Sequence, residues 1–183
     1  SGEIKIPSRI DGSAVTKIGK RAFGVWGGEL KVTGVILPPQ LKEIGDEAFQ
    51  GCTLIKGIEI PKSVTRIGSN AFRYCTDLTS VTIPNGVTSI ESTAFYDCTS
   101  LASITFTGPV PTTLGANIFG NIAAGAVVIV SDGFLAGFGE IGSTWNGLIV
   151  STPDASDLTY TTTNGKVTIT DCDEAATGAL VIP

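Results

Sequence analysis

Few residues of this chain could do chemistry, and the absences among them decide more than the presences. None of the 183 residues is histidine, which removes the commonest general base and an essential partner in Ser-His-Asp, Cys-His and HExxH zinc chemistry. The nucleophilic side chains that stand out are Cys52, Cys75 and Cys98, spaced by 23. Three thiols at one interval could close a disulfide or offer soft ligands to a metal ion. The fourth, Cys172, lies beside Asp171, Asp173 and Glu174, acids that could hold calcium but are expected to form a solvated loop. Glycine-rich stretches at 115–125 and 133–142 carry neither a Walker lysine nor a dinucleotide fingerprint. No two carboxylates pair convincingly for glycoside hydrolysis. The chain is expected to be no enzyme and to need no cofactor and no metal.

The thiol spacing belongs to a longer rhythm, and that rhythm defines the elements that must position everything else. Pro38, Pro61 and Pro84 share the 23-residue interval, as do Ile44, Ile67 and Ile90, Ala48, Ala71 and Ala94, and Phe49, Phe72 and Phe95. The unit reads I-P-x-x-V-T-x-I-G-x-x-A-F-x-x-C-T-x-L-x-x-V-T, most cleanly from Ile60 and again from Ile83. Earlier, Ile6-Pro7, Val15-Thr16, Ile18-Gly19 and Ala22-Phe23 match it with a longer loop; later, Leu114 and Phe119 follow Ile90 and Phe95 by 24. Alternation such as Leu78, Val81 and Ile83 marks a short strand in each unit, and the Ala-Phe pair is expected to sit in a helical or 3₁₀ turn. A unit this short cannot bury its own apolar edge, so units must stack, with strands about 4.8 Å apart. The predicted fold is a right-handed β-solenoid of parallel short strands and short helical turns.

Stacking also decides the thiol question. Identical positions in parallel coils place neighbouring cysteine Cα atoms about 4.8 Å apart. Their Cβ atoms point the same way, so they stay too far apart for an easy bridge. A straight column likewise diverges where a tetrahedral metal needs ligands to converge. Reduced, space-filling cysteines are expected.

The array is expected to span 1–120, followed by a capping unit at 121–150 with Trp145 as a plug, a linker at 151–157, and a β-hairpin at 158–183 built around Asn164-Gly165. The end of that segment, 177–183, echoes 1–7, which suggests the start of a further array. A serine in first place and no initiator methionine suggest that the chain is one module of a longer protein. Net charge is −5, and only 16% of residues are charged. Residues 1–102 are nearly balanced, with 11 basic and 10 acidic side chains, whereas 103–183 hold only Lys166 against seven acids. That balance argues against nucleic acid as a partner, and no apolar run reaches the roughly 18 residues of a membrane helix.

The repeat resembles the BspA-type leucine-rich repeat, also found in Treponema pallidum-like proteins. Ile60-Pro61, Val64-Thr65, Ile67-Gly68, Ala71-Phe72, Cys75-Thr76 and Leu78 carry the resemblance, as do Ile83-Pro84, Val87-Thr88, Ile90, Ala94-Phe95, Cys98-Thr99 and Leu101. Glu91 replaces the expected glycine, and the first unit has Gly24-Val25-Trp26 in place of its cysteine. The resemblance implies a leucine-rich-repeat solenoid on a bacterial surface or secreted, and an adhesive role toward host or cell-surface proteins. A structural spacer and a carbohydrate-binding accessory module are the alternatives, and end-to-end self-association is a further expectation. Outward positions include Ile36, Glu59, Thr82 and Thr105 on the first strand, Lys42, Glu43, Thr65, Arg66, Thr88 and Ser89 on the second, and Gln50, Arg73, Tyr74, Tyr96 and Asp97 after the phenylalanines. From these the candidate binding residues are Trp26, Glu59, Arg66, Arg73, Tyr74, Thr82, Tyr96 and Thr105, with the aromatics as anchors.

Overall fold

The computed structural model describes residues 2–24 and 32–152, together with the backbone of two strands within 158–172. Each coil supplies a longer strand, a two-residue strand and a tight turn. The longer strands Gly57–Glu59, Ser80–Ile83, Ser103–Phe106, Val127–Val130 and Leu148–Ser151 stack in parallel, and Thr144–Trp145 lies antiparallel on the last of them. Strands Lys17–Ile18, Glu43–Ile44, Arg66–Ile67, Ser89–Ile90 and Thr113–Leu114 make a second parallel sheet. Ahead of these, Gly2–Lys5 pairs with Val32–Ile36, and Arg9–Ile10 forms a small hairpin with Ser13–Ala14.

The register reproduces the sequence period. Ile58, Val81, Ile104, Val128 and Val150 are successive partners, and all five are buried. Strand alternation puts every second residue inside, so the neighbouring column of Glu59, Thr82, Thr105, Ile129 and Ser151 must face out. Threonine hydroxyls of the loops serve the stacking itself: Thr65, Thr88 and Thr112 each donate to a carbonyl one coil back, at 3.1–3.2 Å.

The Ala-Phe turn is not the helical turn expected from the sequence. Two positions per coil adopt the left-handed conformation. Arg21, Glu47, Asn70, Thr93 and Asn117 have φ between 53° and 58°, and four residues after the middle three of these and Asn117 come Gly51, Tyr74, Asp97 and Asn121 with φ of 76°, 64°, 58° and 54°. A helix would direct all its amides back along its own axis; here the reversals send alternate amides to the next coil. Phe23, Phe49, Phe72 and Phe95 donate to the carbonyls of Ala48, Ala71, Ala94 and Ile118 at 2.8–2.9 Å, while Ala48 and Gln50 close turns within their own coil. The turn is therefore a third ladder between coils, and one helical element stands among the described residues, the 3₁₀ helix Asp132–Gly137.

The same ladder stacks the phenylalanines. Phe23, Phe49, Phe72, Phe95 and Phe119 form one column, with ring centroids 5.1–5.5 Å apart and planes within 15° of parallel. Rings tied to a coil rise of about 4.8 Å stack offset, the arrangement their quadrupoles prefer over an eclipsed sandwich. Phe49, Phe72 and Phe95 are fully buried, each contributing about 1.5–3 kcal/mol by burial and roughly 0.5–1.5 kcal/mol more by ring contact. At the far end Trp145 packs on Phe106, Phe138 and Phe119, with centroids 4.8–6.3 Å away, and ends the column.

The hairpin expected around Asn164-Gly165 has its two strands: Leu158–Thr163 pairs antiparallel with Lys166–Cys172. The connecting Asn164-Gly165, residues 153–157 of the expected linker and 177–183 lie outside the described residues, as does Trp26, whereas Ser151, expected in the linker, ends the last parallel strand. Gln50, expected to face outward, is buried, although Arg73 and Tyr96 at the equivalent position of the next two coils are only half-buried.

Replacing Phe72 by alanine in the middle of the column is expected to cost about 3–5 kcal/mol. Equilibrium urea denaturation checks it; a loss under about 1 kcal/mol would show that the column contributes little to holding the coils.

Candidate functional site

The eight candidate residues do not converge on one place. Glu59, Thr82 and Thr105 are consecutive register partners on the long-strand sheet. Glu59 also borders an open groove of about 550 Å³, lined in part by Glu3, Gly34, Ile36, Gly57 and Lys62. The groove lies where Val32–Ile36 runs beside Gly57–Glu59 without joining its sheet. Gly34 and Gly57, at equivalent positions, put no side chain of their own on the outer face there, and the Glu3 side chain lies over Gly34.

Arg66 sits on the other sheet and is occupied. Its Nη1 reaches Glu43 at 2.6 Å, Nη2 reaches Asp46 at 2.8 Å and Nε reaches Glu91 at 2.6 Å. Glu43 also pairs with Lys17 at 2.9 Å, extending the network across four coils. The Lys17 ammonium, and then the Arg66 guanidinium, hold the Glu43 carboxyl below its usual range. Arg66 does the same to Asp46, and Arg21 to Glu47. Burial opposes the shift in all three. Glu91, the departure from the glycine of the repeat, is thus explained by its charge: it completes the cage around Arg66 and accepts a bond from Ser69.

The cysteine column is chemically quiet. Cys52, Cys75 and Cys98 are free, buried thiols, and each donates through Sγ to a phenylalanine carbonyl one coil back at 3.1–3.3 Å. Burial pushes Cys52 up to about 11 and Cys98 up to about 12, and raises Cys75 well above its ordinary value. Thiolate, the reactive form, is suppressed at neutral pH. Among the described residues no group of histidine, cysteine or carboxylate side chains could hold a metal ion.

Arg73, Tyr74 and Tyr96 do come together, on the rim formed by the left-handed turns. The Arg73 guanidinium lies 4.6 Å from the Tyr74 ring centroid and 5.2 Å from that of Tyr96. Its Nη2 donates to the Tyr74 hydroxyl at 2.8 Å, and Nη1 approaches Asn70 Oδ1 at 3.5 Å. Tyr96 lies over Gly120, where a side chain would collide with its ring at 2.6 Å. Next to it, Asn121 donates through its amide to Asp97. The left-handed column thus reads Gly51, Tyr74, Asp97 and Asn121 along the rim.

Two features of this rim work against stability. Tyr74 holds φ +64°, a conformation that glycine, asparagine and aspartate accept easily and an aromatic residue does not, at a cost on the order of 1 kcal/mol. Arg73 Nε is buried with no hydrogen-bond partner, which typically costs about 1–3 kcal/mol. Stacking on the tyrosines offsets part of this, roughly 0.5–1 kcal/mol per exposed contact. Tyr74 nevertheless stays 38% exposed. Asn121 was missed in the sequence; its signal was the 24-residue step from Asp97, the same step that joins Phe95 to Phe119.

Stacked parallel coils, an apolar interior and a patterned outer surface define a repeat solenoid of the leucine-rich class, suited to recognition or to structure. The chain belongs to the BspA-type leucine-rich repeat family, whose model matches residues 3–125 in six copies. Among solved structures, the T. pallidum leucine-rich repeat protein is 27% identical, with a TM-score of 0.50 over 69% of this chain and 73% of that one. A leucine-rich cell surface protein from Faecalibacterium prausnitzii is 25% identical, with a TM-score of 0.48 over 90% of this chain and 52% of that one. No curated protein is similar enough to count as a relative.

The lowered carboxyls set a direction for pH. A carboxyl whose pKa is lower in the folded chain contributes stability above its unfolded pKa and loses it as pH falls through the folded value. Melting temperature is expected to fall between about pH 5 and pH 2, and Arg66→Gln should flatten that fall by weakening the shifts on Glu43 and Asp46. Thermal melts of both chains across this range check it; parallel pH profiles would count against the network. A thiol reagent applied at pH 8 should leave Cys52, Cys75 and Cys98 unlabelled in the native chain and label them in urea, as read by peptide mass mapping.

Proposed function

We propose that the chain is a non-enzymatic recognition module of a bacterial cell-surface or secreted protein, and that it engages its partner through the rim of Arg73, Tyr74, Tyr96, Asp97 and Asn121. The observation that carries the reading is Tyr74: an exposed aromatic in a left-handed position, at a place where the neighbouring coils use Gly51, Asp97 and Asn121. Strain retained in a repeat whose own other copies show how to avoid it is better explained by binding than by folding. Exposed tyrosine and arginine are also the side chains that dominate interface energetics. Membership of the BspA-type family fits a surface role.

A structural spacer is the second reading, favoured by the share of polar groups turned to internal use. Arg66, Glu43, Asp46 and Glu91 neutralise one another, and the hydroxyls of Thr65, Thr88 and Thr112 bond to backbone. A spacer needs no rim aromatics, so one variant separates the two. Arg73→Ser/Tyr74→Asn/Tyr96→Ser is expected to cut attachment of the purified chain to epithelial cells and immobilised matrix proteins at least tenfold while the fold persists. Attachment equal to that of the parent chain would favour the spacer.

A further inference from the structure

We infer that the rim is a carbohydrate site, taking a pyranose with neighbouring free hydroxyls; this rests on the recognition reading above and names its ligand class. Three observations meet there. Tyr74 stays part-exposed at the rim while the Arg73 guanidinium lies over its ring, 4.6 Å from the centroid, and donates to its hydroxyl at 2.8 Å. A ring oriented by these two contacts suits the C–H face of a sugar packing on its exposed part, which gains from stacking without needing a deep pocket. One coil further along the same left-handed column comes Asp97, and one coil beyond that Asn121. Backbone bonds tie these rungs together: the Tyr74 amide donates to the Tyr96 carbonyl at 3.0 Å, and the Asp97 amide to the Gly120 carbonyl at 2.9 Å. The step between rungs is therefore one coil rise, about 4.8 Å, comparable to the width of a sugar ring.

The Asp97–Asn121 pair supplies complementary chemistry. One Asp97 carboxylate oxygen already accepts from the Asn121 amide. The second carboxylate oxygen remains to accept from a sugar hydroxyl, and the amide keeps a second N–H for the oxygen of the adjacent hydroxyl. A carboxylate and an amide fixed side by side thus match a vicinal diol, donor to acceptor and acceptor to donor. Arg73 adds N–H donors at the edge of the stack. Among the described residues no carboxylate lies within ion-pair reach of it, unlike Arg21 and Arg66.

The whole chain, applied to an array of neutral and acidic oligosaccharides, is expected to bind a subset. Titration with the best-bound free oligosaccharide should show at least tenfold weaker affinity for both Tyr74→Asn and Asp97→Ala, with Ser80→Ala on the exposed sheet face unchanged. Asparagine at 74 keeps a residue type suited to the left-handed backbone, so that variant tests the ring and not the fold. A blank array, or binding that both rim variants retain, would overturn the assignment. Should the array be blank while the triple rim variant still loses attachment to cells or matrix proteins, the sugar fails and the recognition reading stands. Attachment unaffected by the triple variant removes both.

Discussion

The structure depends on the hydrogen bonds that leave each turn for the next coil. Strands alone would tie the coils together on two sides and leave the third to side-chain packing. Because the chain reverses handedness twice around each Ala-Phe pair, alternate amides of the turn point along the solenoid axis and find carbonyls one coil on. The backbone groups of the turn are thereby satisfied without a helix. The same bonds fix the phenylalanine column at coil spacing, bring each cysteine Sγ onto the phenylalanine carbonyl of the preceding coil, and seal the interior. Each apolar position meets its own copy, so one unit's solution serves all of them.

Once periodicity supplies the fold, the departures from it become the informative residues. Glu91 stands where Gly45, Gly68 and Gly115 stand in other coils, and its carboxylate completes the cage around Arg66. That departure is structural: it returns its energy within the molecule. Tyr74 and Arg73 differ. The backbone is strained at one, a buried donor is unpaired at the other, and the ring they fix faces solvent. The rim is also rigid by construction, since its backbone belongs to the third ladder. A rigid aromatic and an oriented carboxylate-amide pair lose little freedom on binding.

Much of the fold was readable from spacing alone. The 23-residue recurrence of Pro61 and Pro84, Phe72 and Phe95, Cys75 and Cys98 specified stacked coils, and stacking in turn specified that the thiols lie in a column and stay reduced. The turn was not readable, because its first left-handed position is Arg21, Glu47 and Thr93 as well as Asn70 and Asn117, so no one side-chain type marks it, and a run such as Ala94-Phe95-Tyr96 looks helical when the reversals flanking it are unseen. Gln50 was expected to face out and is buried, whereas Arg73 and Tyr96 at the same position of the next two coils reach the rim. Arg66 was read as a binding residue because sequence separation hid its partners; Glu43 and Glu91 lie more than twenty residues away on either side and meet it only when coils stack. Arg73, Tyr74 and Tyr96 were found together because adjacent coils place equivalent positions side by side.

The most direct test of this account is amide hydrogen exchange resolved by residue in the native chain. If turns form a third ladder, the amides of Phe49, Phe72 and Phe95, with those of Gly51, Tyr74 and Asp97, should exchange as slowly as the sheet amides of Val81 and Ile104. Exchange of those turn amides at the rates of an exposed loop, with only the sheets protected, would contradict it.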